Sequence, residues 1–90
     1  MSHRLLDYAG PVLRTARERV GATQGEIADR AGSSTATISR LENGVALPSD
    51  QLIDAIFDAY SVVTGVSRLV LLERATAAWQ QEEYGEVTGL

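Results

Sequence analysis

The sequence predicts an all-α domain of about five helices. Apolar residues recur at spacings of three and four in five separate stretches, as expected where one face of a helix packs against a core. Capping residues, glycine or proline separate these stretches, and nowhere does a long strand-like alternation of apolar and polar residues occur. Ninety residues with 44% apolar content are enough for one small domain with a hydrophobic core.

Composition argues against several kinds of chemistry. There is no cysteine, and His3 is the single histidine, so a disulfide framework, a metal site and a nucleophile–base set are all unsupported. No paired acids or phosphate-binding loop are evident either, so we expect no cofactor and no enzymatic activity. No apolar run reaches the roughly 18 residues that span a bilayer, and we expect a cytoplasmic protein with no membrane partner.

The charge is acidic overall, with eight basic residues against twelve acidic ones and a net charge of −4. Every basic residue is arginine. A negative net charge weakens unspecific attraction to nucleic acid, but a local basic face remains possible.

The first two helices are bounded by clear signals. Residues 1–10 are interpreted as a leader, because Pro11 suits the first turn of a helix, and Gly21 suits its end. We therefore predict a first helix over about 11–20. The second helix begins at the capping box formed by residues 23–26 and stops at Gly32. The predicted inward residues are Leu13, Ala16 and Val20 in the first helix, and Ile27, Ala28 and Ala31 in the second.

The third helix has an unusual surface. It opens at Ser34 as N-cap and runs to about Glu42, with Ile38 and Leu41 as its apolar positions. Its threonines and serines are weak helix formers, so local propensity does not explain the element. This pattern favours a helix whose surface is occupied by functional residues.

Two longer helices follow a loop in which Leu47 is expected to be buried. Ser49 caps the fourth helix and Gly65 closes it, whereas the fifth opens at Ser67 and is expected to stop at Gly85. The apolar positions of the fourth are Leu52, Ile53, Ile56, Phe57 and Tyr60; those of the fifth are Leu69, Leu72, Ala75 or Thr76, and Trp79, widened by Leu71 and Ala78.

The second and third helices together have the pattern of a helix-turn-helix. A two-turn helix over 24–31 is joined by the short turn 32–34 to a helix with a polar first turn. In such a unit one helix crosses the DNA backbone, and the second presents its N-terminal surface to base edges in the major groove.

Residues in and around these helices resemble the phage-repressor and Cro-type (Xre) helix-turn-helix family. The resemblance covers about residues 11–66 and leaves 1–10 and 67–90 outside it. It implies a lambda-repressor-like bundle. The matching motifs are Thr23-Gln24-Gly25-Glu26-Ile27-Ala28, Ala31-Gly32, Thr37-Ile38-Ser39-Arg40-Leu41-Glu42-Asn43-Gly44 and Pro48.

This resemblance implies roles for individual side chains on double-stranded DNA. Gln24 corresponds to a glutamine that grips a phosphate and can brace the recognition helix, and Arg17 with Glu42 matches a structural ion pair. Independently of the resemblance, cations are few in this region, so phosphate contacts are expected from Arg14, Arg30 and Arg40 together with backbone amides. The residues expected at bases or flanking phosphates are Ser34, Thr35, Ala36, Thr37, Ser39, Arg40 and Asn43.

The chain also departs from the family pattern. Ser33 stands where the family usually has an apolar residue, and Thr35 replaces a larger base-reading side chain. The loop 45–50 has no basic residue for phosphate. Base recognition is therefore expected to depend on Arg40, short hydroxyls and DNA shape.

One helix-turn-helix reads only about four to six base pairs, which is too little to select a genomic site. We therefore predict a homodimer joined mainly through the fifth helix, within 67–90, and the end of the fourth, with Leu69, Leu72 and Trp79 at the interface. The favoured function is a small dimeric repressor that reads an inverted-repeat operator. Two alternatives remain open: an antitoxin-type autorepressor whose residues 67–90 bind a protein partner, and an interaction module that has lost DNA binding.

Overall fold

Five helices form the structure, a computed structural model that describes the backbone of residues 2–88 and the side chains of residues 8–78 and 80. No strand occurs among these residues, which confirms the all-α prediction. No single helix in this part is long and apolar enough to cross a membrane. In chain order the helices are α1 (Ser2–Arg19), α2 (Gln24–Ala31), α3 (Thr35–Glu42), α4 (Asp50–Thr64) and α5 (Arg68–Thr88).

Most helix ends lie where capping chemistry predicts them. The Thr23 hydroxyl accepts from the backbone N–H of Glu26 at 3.1 Å, and the Glu26 carboxylate accepts from the backbone N–H of Thr23 at 3.2 Å. This reciprocal pair is the predicted capping box. Hydroxyl caps also begin the three later helices, at Ser34, Ser49 and Ser67.

The predicted start of the first helix is wrong. Residues 2–10 form the first half of α1, and Pro11 lies inside that helix. A proline here removes only the bond to the carbonyl of residue 7, and its ring lies on the exposed side. The buried stripe of Ala9, Leu13 and Ala16 continues through this point, so packing of α1 outweighs the lost bond.

The core lies where α1 packs against α3, α4 and α5 and where α2 packs against α3 and α4. Two residues expected inside are not: Val20 lies beyond the end of α1, and Leu47 is 40% exposed in the loop after α3. The largest fully buried side chains are Leu13, Ile27, Ile38, Leu41, Ile56, Tyr60 and Leu71.

Helix α5 turns only part of its predicted apolar face towards the core. Leu71 and Ala75 are buried, whereas Leu69 is 66% exposed and Leu72 37% exposed. The predicted stop at Gly85 is also wrong, because α5 continues to Thr88. The side chains of Trp79 and His3 lie outside the described residues.

Gly10 lets α1 approach the end of α3 closely. A Cβ atom at this position would lie 2.4 Å from the backbone oxygen of Leu41 and 3.0 Å from that of Glu42. Contacts that short force the backbone to move, and backbone atoms cannot swing aside as a flexible side chain would. Glycine at position 10 therefore sets the distance between these helices.

Replacing Gly10 with alanine is expected to reduce the free energy of unfolding by about 1–3 kcal/mol, the usual cost of overpacking. Urea unfolding followed by circular dichroism measures this. Gly25→Ala is the matched control, because a Cβ there would meet the Thr23 hydroxyl at an ordinary 3.7 Å. That control should be neutral or stabilising by up to about 1 kcal/mol. Equal effects of the two substitutions would contradict the steric explanation.

Candidate nucleic-acid interface

A tight turn joins α2 to α3. Gly32 has a φ of +68°, a left-handed conformation that glycine adopts without strain, and the Ser33 N–H bonds back to the Ala28 oxygen at 2.8 Å. Ile27 and Ala28 of α2 and Ile38 and Leu41 of α3 are buried. The two helices therefore pack together through these faces, and their opposite faces are left outside.

The outer surface of α3 is short-chained and polar at its start. Ser34, Thr35, Ala36, Arg40 and Asn43 are exposed. Thr37 and Ser39 are half-buried. This surface is wide open to solvent and combines hydroxyl, methyl, amide and guanidinium groups.

Hydrogen bonds within α3 occupy some of these groups. The Ser34 hydroxyl accepts from the Thr37 N–H at 3.1 Å and shares a 2.9 Å hydrogen bond with the Thr37 hydroxyl. The Asn43 amide donates to the Ser39 hydroxyl at 3.3 Å. Among the described residues, no partner engages the Thr35 hydroxyl or the Arg40 guanidinium, so both are available to a ligand.

A buried carboxylate holds the other end of α3 in place. Both oxygens of Glu42 accept from the Arg17 guanidinium, each at 2.8 Å, and the Glu42 side chain is 0% exposed. Arg17 also donates to the Ala22 oxygen at 2.9 Å. The predicted pairing of Arg17 with Glu42 is thus a bidentate, nearly buried contact between α1 and α3.

Two further side chains donate hydrogen bonds to the Glu42 carboxylate. The Gln24 side chain donates to Glu42 Oε1 at 3.1 Å, and the Tyr60 hydroxyl donates to Glu42 Oε2. We call Arg17, Gln24, Glu42 and Tyr60 the Glu42 network. It links α1, α2 and α4 to the last residue of α3.

The network determines the ionisation of its members. Burial acts to raise the pKa of Glu42, but hydrogen bonds from Arg17, Tyr60 and Gln24 outweigh it and lower this pKa from its ordinary 4.5. Burial and the neighbouring carboxylate both raise the pKa of the Tyr60 phenol. Glu42 therefore stays charged and Tyr60 stays a donor at neutral pH.

The structure gives Gln24 and Arg14 definite partners in the protein. Gln24, which is expected to contact a phosphate or to brace the recognition helix, donates its side-chain amide to Glu42. Arg14 lies on the exposed side of α1 and pairs with Glu18 at 3.3 Å. An exposed pair one helical turn apart is weak, so Arg14 can exchange its carboxylate for another anion at little cost.

The role of Tyr60 in this site does not follow from the sequence pattern. The apolar stripe of the fourth helix predicts a buried Tyr60, and the ring is fully buried. A buried tyrosine hydroxyl requires a partner, which was the available signal. Its partner, Glu42, is 18 residues away in sequence and is brought near only by the packing of α4.

Residues 9–71 match the family described as a helix-turn-helix domain. The chain belongs to this family. The matched span includes all of α2, α3 and α4 and the whole Glu42 network. No curated protein matches the sequence significantly.

Family membership supports DNA binding and a regulatory role. In a helix-turn-helix domain the second helix of the unit enters the groove, and here that helix is α3. Within the described residues, no cluster of three or more His, Asp or Glu side chains is placed to hold a metal ion.

Ser33 is an energetically unfavourable residue in the turn between α2 and α3. Its hydroxyl oxygen is buried and has no hydrogen-bond partner among the described residues. An unpaired buried hydroxyl costs free energy, so an apolar side chain of similar size would suit this position better.

Ser33→Ala is therefore expected to raise the free energy of unfolding by about 1 kcal/mol, because it removes the unpaired oxygen and little else. Thermal or urea unfolding measures the change. Ser34→Ala is the control: it removes a helix cap and should be destabilising by about 1 kcal/mol. A destabilised Ser33→Ala protein would show that the hydroxyl has a useful partner.

Proposed function

We propose that this protein is a sequence-specific regulator of transcription, of the phage-repressor and Cro type, that inserts α3 into the major groove of double-stranded DNA. The observation that carries the proposal is the open surface of α3. Its Thr35 hydroxyl and Arg40 guanidinium have no partner among the described residues, while the Glu42 network fixes the C-terminal end of the same helix. A rigid helix with uncommitted polar groups is suited to reading base edges.

The chemistry of this surface suggests which groups read bases. Arg40 can bond to both acceptors of a guanine, Ala36 can contact a thymine methyl, and the Thr35 hydroxyl can bond to several bases. Ser34 and Asn43 lie at the two ends of α3, where phosphates flank the groove. Because these contacts are few, DNA shape is expected to contribute to selectivity.

A second copy of the chain would supply the missing sequence information. Leu69 and Leu72 expose apolar surface on α5, and Val62 does so near the end of α4. We propose a homodimer through this region, with Trp79 as a further member. Two-fold pairing would make the operator an inverted repeat, and occupancy of that operator would repress transcription.

Selection of bound fragments from random double-stranded DNA, using the full chain, tests the function directly. We expect an enriched motif with two-fold symmetry. Binding to it should weaken steeply with salt, with a log–log slope near −0.9 for each phosphate contact. A library without enrichment, together with binding that does not respond to salt, would reject the proposal.

Light scattering tests the dimer separately. The chain should have twice its 9.7 kDa mass at tens of micromolar, and Leu69→Gln with Leu72→Gln should shift it to the monomer. Val45→Gln, which changes an exposed apolar residue in the loop after α3, is the control and should remain dimeric. A wild-type monomer would remove the dimer proposal and leave DNA binding to be judged by the selection.

A protein-interaction module is the second candidate function. The observation favouring it is the loop 45–50, which has no cation for phosphate and exposes Val45 by 73% and Leu47 by 40%. Apolar side chains at the edge of α3 suit a protein surface better than a charged backbone. Failure of the DNA selection would make this candidate the leading one.

A further inference from the structure

A groove between α1 and α5 lies apart from the proposed DNA-contact surface. It has a volume of about 290 Å³ and is lined by Pro11, Val12, Thr15, Arg19 and Arg74. None of these residues belongs to 34–43 or to the Glu42 network. No carboxylate is among the lining residues that the structure describes.

Arg19 and Arg74 bring two positive charges to this groove. Neither guanidinium has an ion pair or hydrogen bond among the described residues, and both side chains are exposed. In contrast, Arg14, Arg17 and Arg68 each pair with a carboxylate. Two unpaired arginines that line one groove are notable in a chain with a net charge of −4.

The rest of the lining is largely apolar and belongs to one face of α1. Val12, Thr15 and Arg19 are separated by three and four residues, which places them on the same side of the helix. Pro11 and Val12 supply ring and branched carbons beside the two guanidinium groups. The groove thus combines an apolar wall with two positively charged hydrogen-bond donors.

We infer that this groove binds a small phosphate monoester that carries an apolar group. A phosphate monoester has close to two negative charges at neutral pH and three acceptor oxygens, which matches two guanidinium forks. The volume is near the lower end for small-molecule sites, enough for a ring-sized body. The wall formed by Pro11 and Val12 would hold that body.

A ligand in the groove would contact the helices that carry or support the two proposed binding surfaces, the DNA-contact surface of α3 and the dimer surface of α5. Helix α1 supports α3 through Gly10 and Arg17, and α5 carries the exposed Leu69 and Leu72. A ligand held between α1 and α5 touches both helices. The binding site itself does not depend on the proposed function, and only an effect on DNA binding would rest on it.

Titration of the ¹⁵N-labelled full chain with phenyl phosphate, followed by amide chemical shifts, tests the inference. Saturable shifts should map to 11–19 and 71–76. Phenol, which has the ring without the anion, and inorganic phosphate, which has the anion without the ring, should each bind at least about tenfold more weakly.

Arg19→Gln and Arg74→Gln should each weaken phenyl phosphate binding about tenfold, because each removes a charge-assisted contact. Arg30→Gln is the matched control, since Arg30 is exposed and unpaired among the described residues but does not line the groove. Amide spectra of the variants check that the fold is intact. The inference is overturned by shifts centred on 34–43, by absence of saturable shifts, by inorganic phosphate binding as well as phenyl phosphate, or by an equal loss in Arg30→Gln.

Discussion

Glu42→Ala is expected to lower the free energy of unfolding by about 3–5 kcal/mol. The substitution leaves the Arg17 guanidinium nearly buried without its carboxylate, and it removes the acceptor of both Gln24 and Tyr60. A domain of this size has a total free energy of unfolding of roughly 5–10 kcal/mol. The variant is therefore expected to lose a large part of its stability or to unfold. Urea unfolding followed by circular dichroism gives the value.

Two matched variants make this result interpretable. Glu42→Gln keeps the shape and one acceptor oxygen, so it should fold and lose less than the alanine variant. Glu18→Ala breaks the exposed pair with Arg14 and should change stability by less than about 0.5 kcal/mol. A loss below 1 kcal/mol for Glu42→Ala would mean that the network orients α3 without stabilising the fold.

Acid unfolding provides a second readout of the same carboxylate. The folded pKa of Glu42 is lowered below its ordinary 4.5, so its stabilising contribution is present above pH 4.5. That contribution is lost as the pH falls below 4.5 and through the lowered pKa. The wild-type protein should therefore lose stability more steeply than Glu42→Gln between about pH 5 and pH 3.

Arg40→Ala should have the largest effect on DNA recognition. We expect a cost of about 1–3 kcal/mol on the selected operator, up to roughly a hundredfold in affinity, with preference relaxed at one base pair of each half-site. Arg40 is exposed and unpaired among the described residues, so its removal should leave the fold intact. Gel retardation against the operator and its single-base variants measures both effects.

Arg30→Ala distinguishes base reading from phosphate contact. Arg30 is exposed on α2, the helix expected to cross the DNA backbone. Its loss should weaken binding equally on all sequences and reduce the salt slope by about one contact. If Arg40→Ala behaves in that way and the consensus is unchanged, Arg40 contacts phosphate and the base reader is another residue.

Local capping chemistry made most of the fold predictable. The box at Thr23 and Glu26, the serine caps and the glycines at 32 and 65 each act over a few residues, so a single sequence is enough to identify them. The predicted start of α1 was wrong because proline is common in the first turn of a helix, and Pro11 fits that position as well as one inside the helix. The helix continues through Pro11 in the structure, and Ala9 and Leu13 on either side of it are buried against other helices.

The site was predictable in part, for a different reason. The pairing of Arg17 with Glu42 followed from the family resemblance, and the structure contains it. The contribution of Tyr60 depends on how α4 crosses the end of α3, which no local pattern specifies. Likewise, the choice of Leu71 over Leu72 as the inward residue of α5 depends on how that helix rotates as it packs.

The arrangement around Glu42 has a consequence for how the molecule opens. Because one carboxylate accepts from three other helices, α3 cannot separate from the domain without exposing donors on all of them at once. Amide protons in the middle of these four helices should then exchange with solvent through a shared, near-global opening. Slow, concerted exchange of this kind would indicate that the exposed surface of α3 keeps a single shape as long as the domain stays folded.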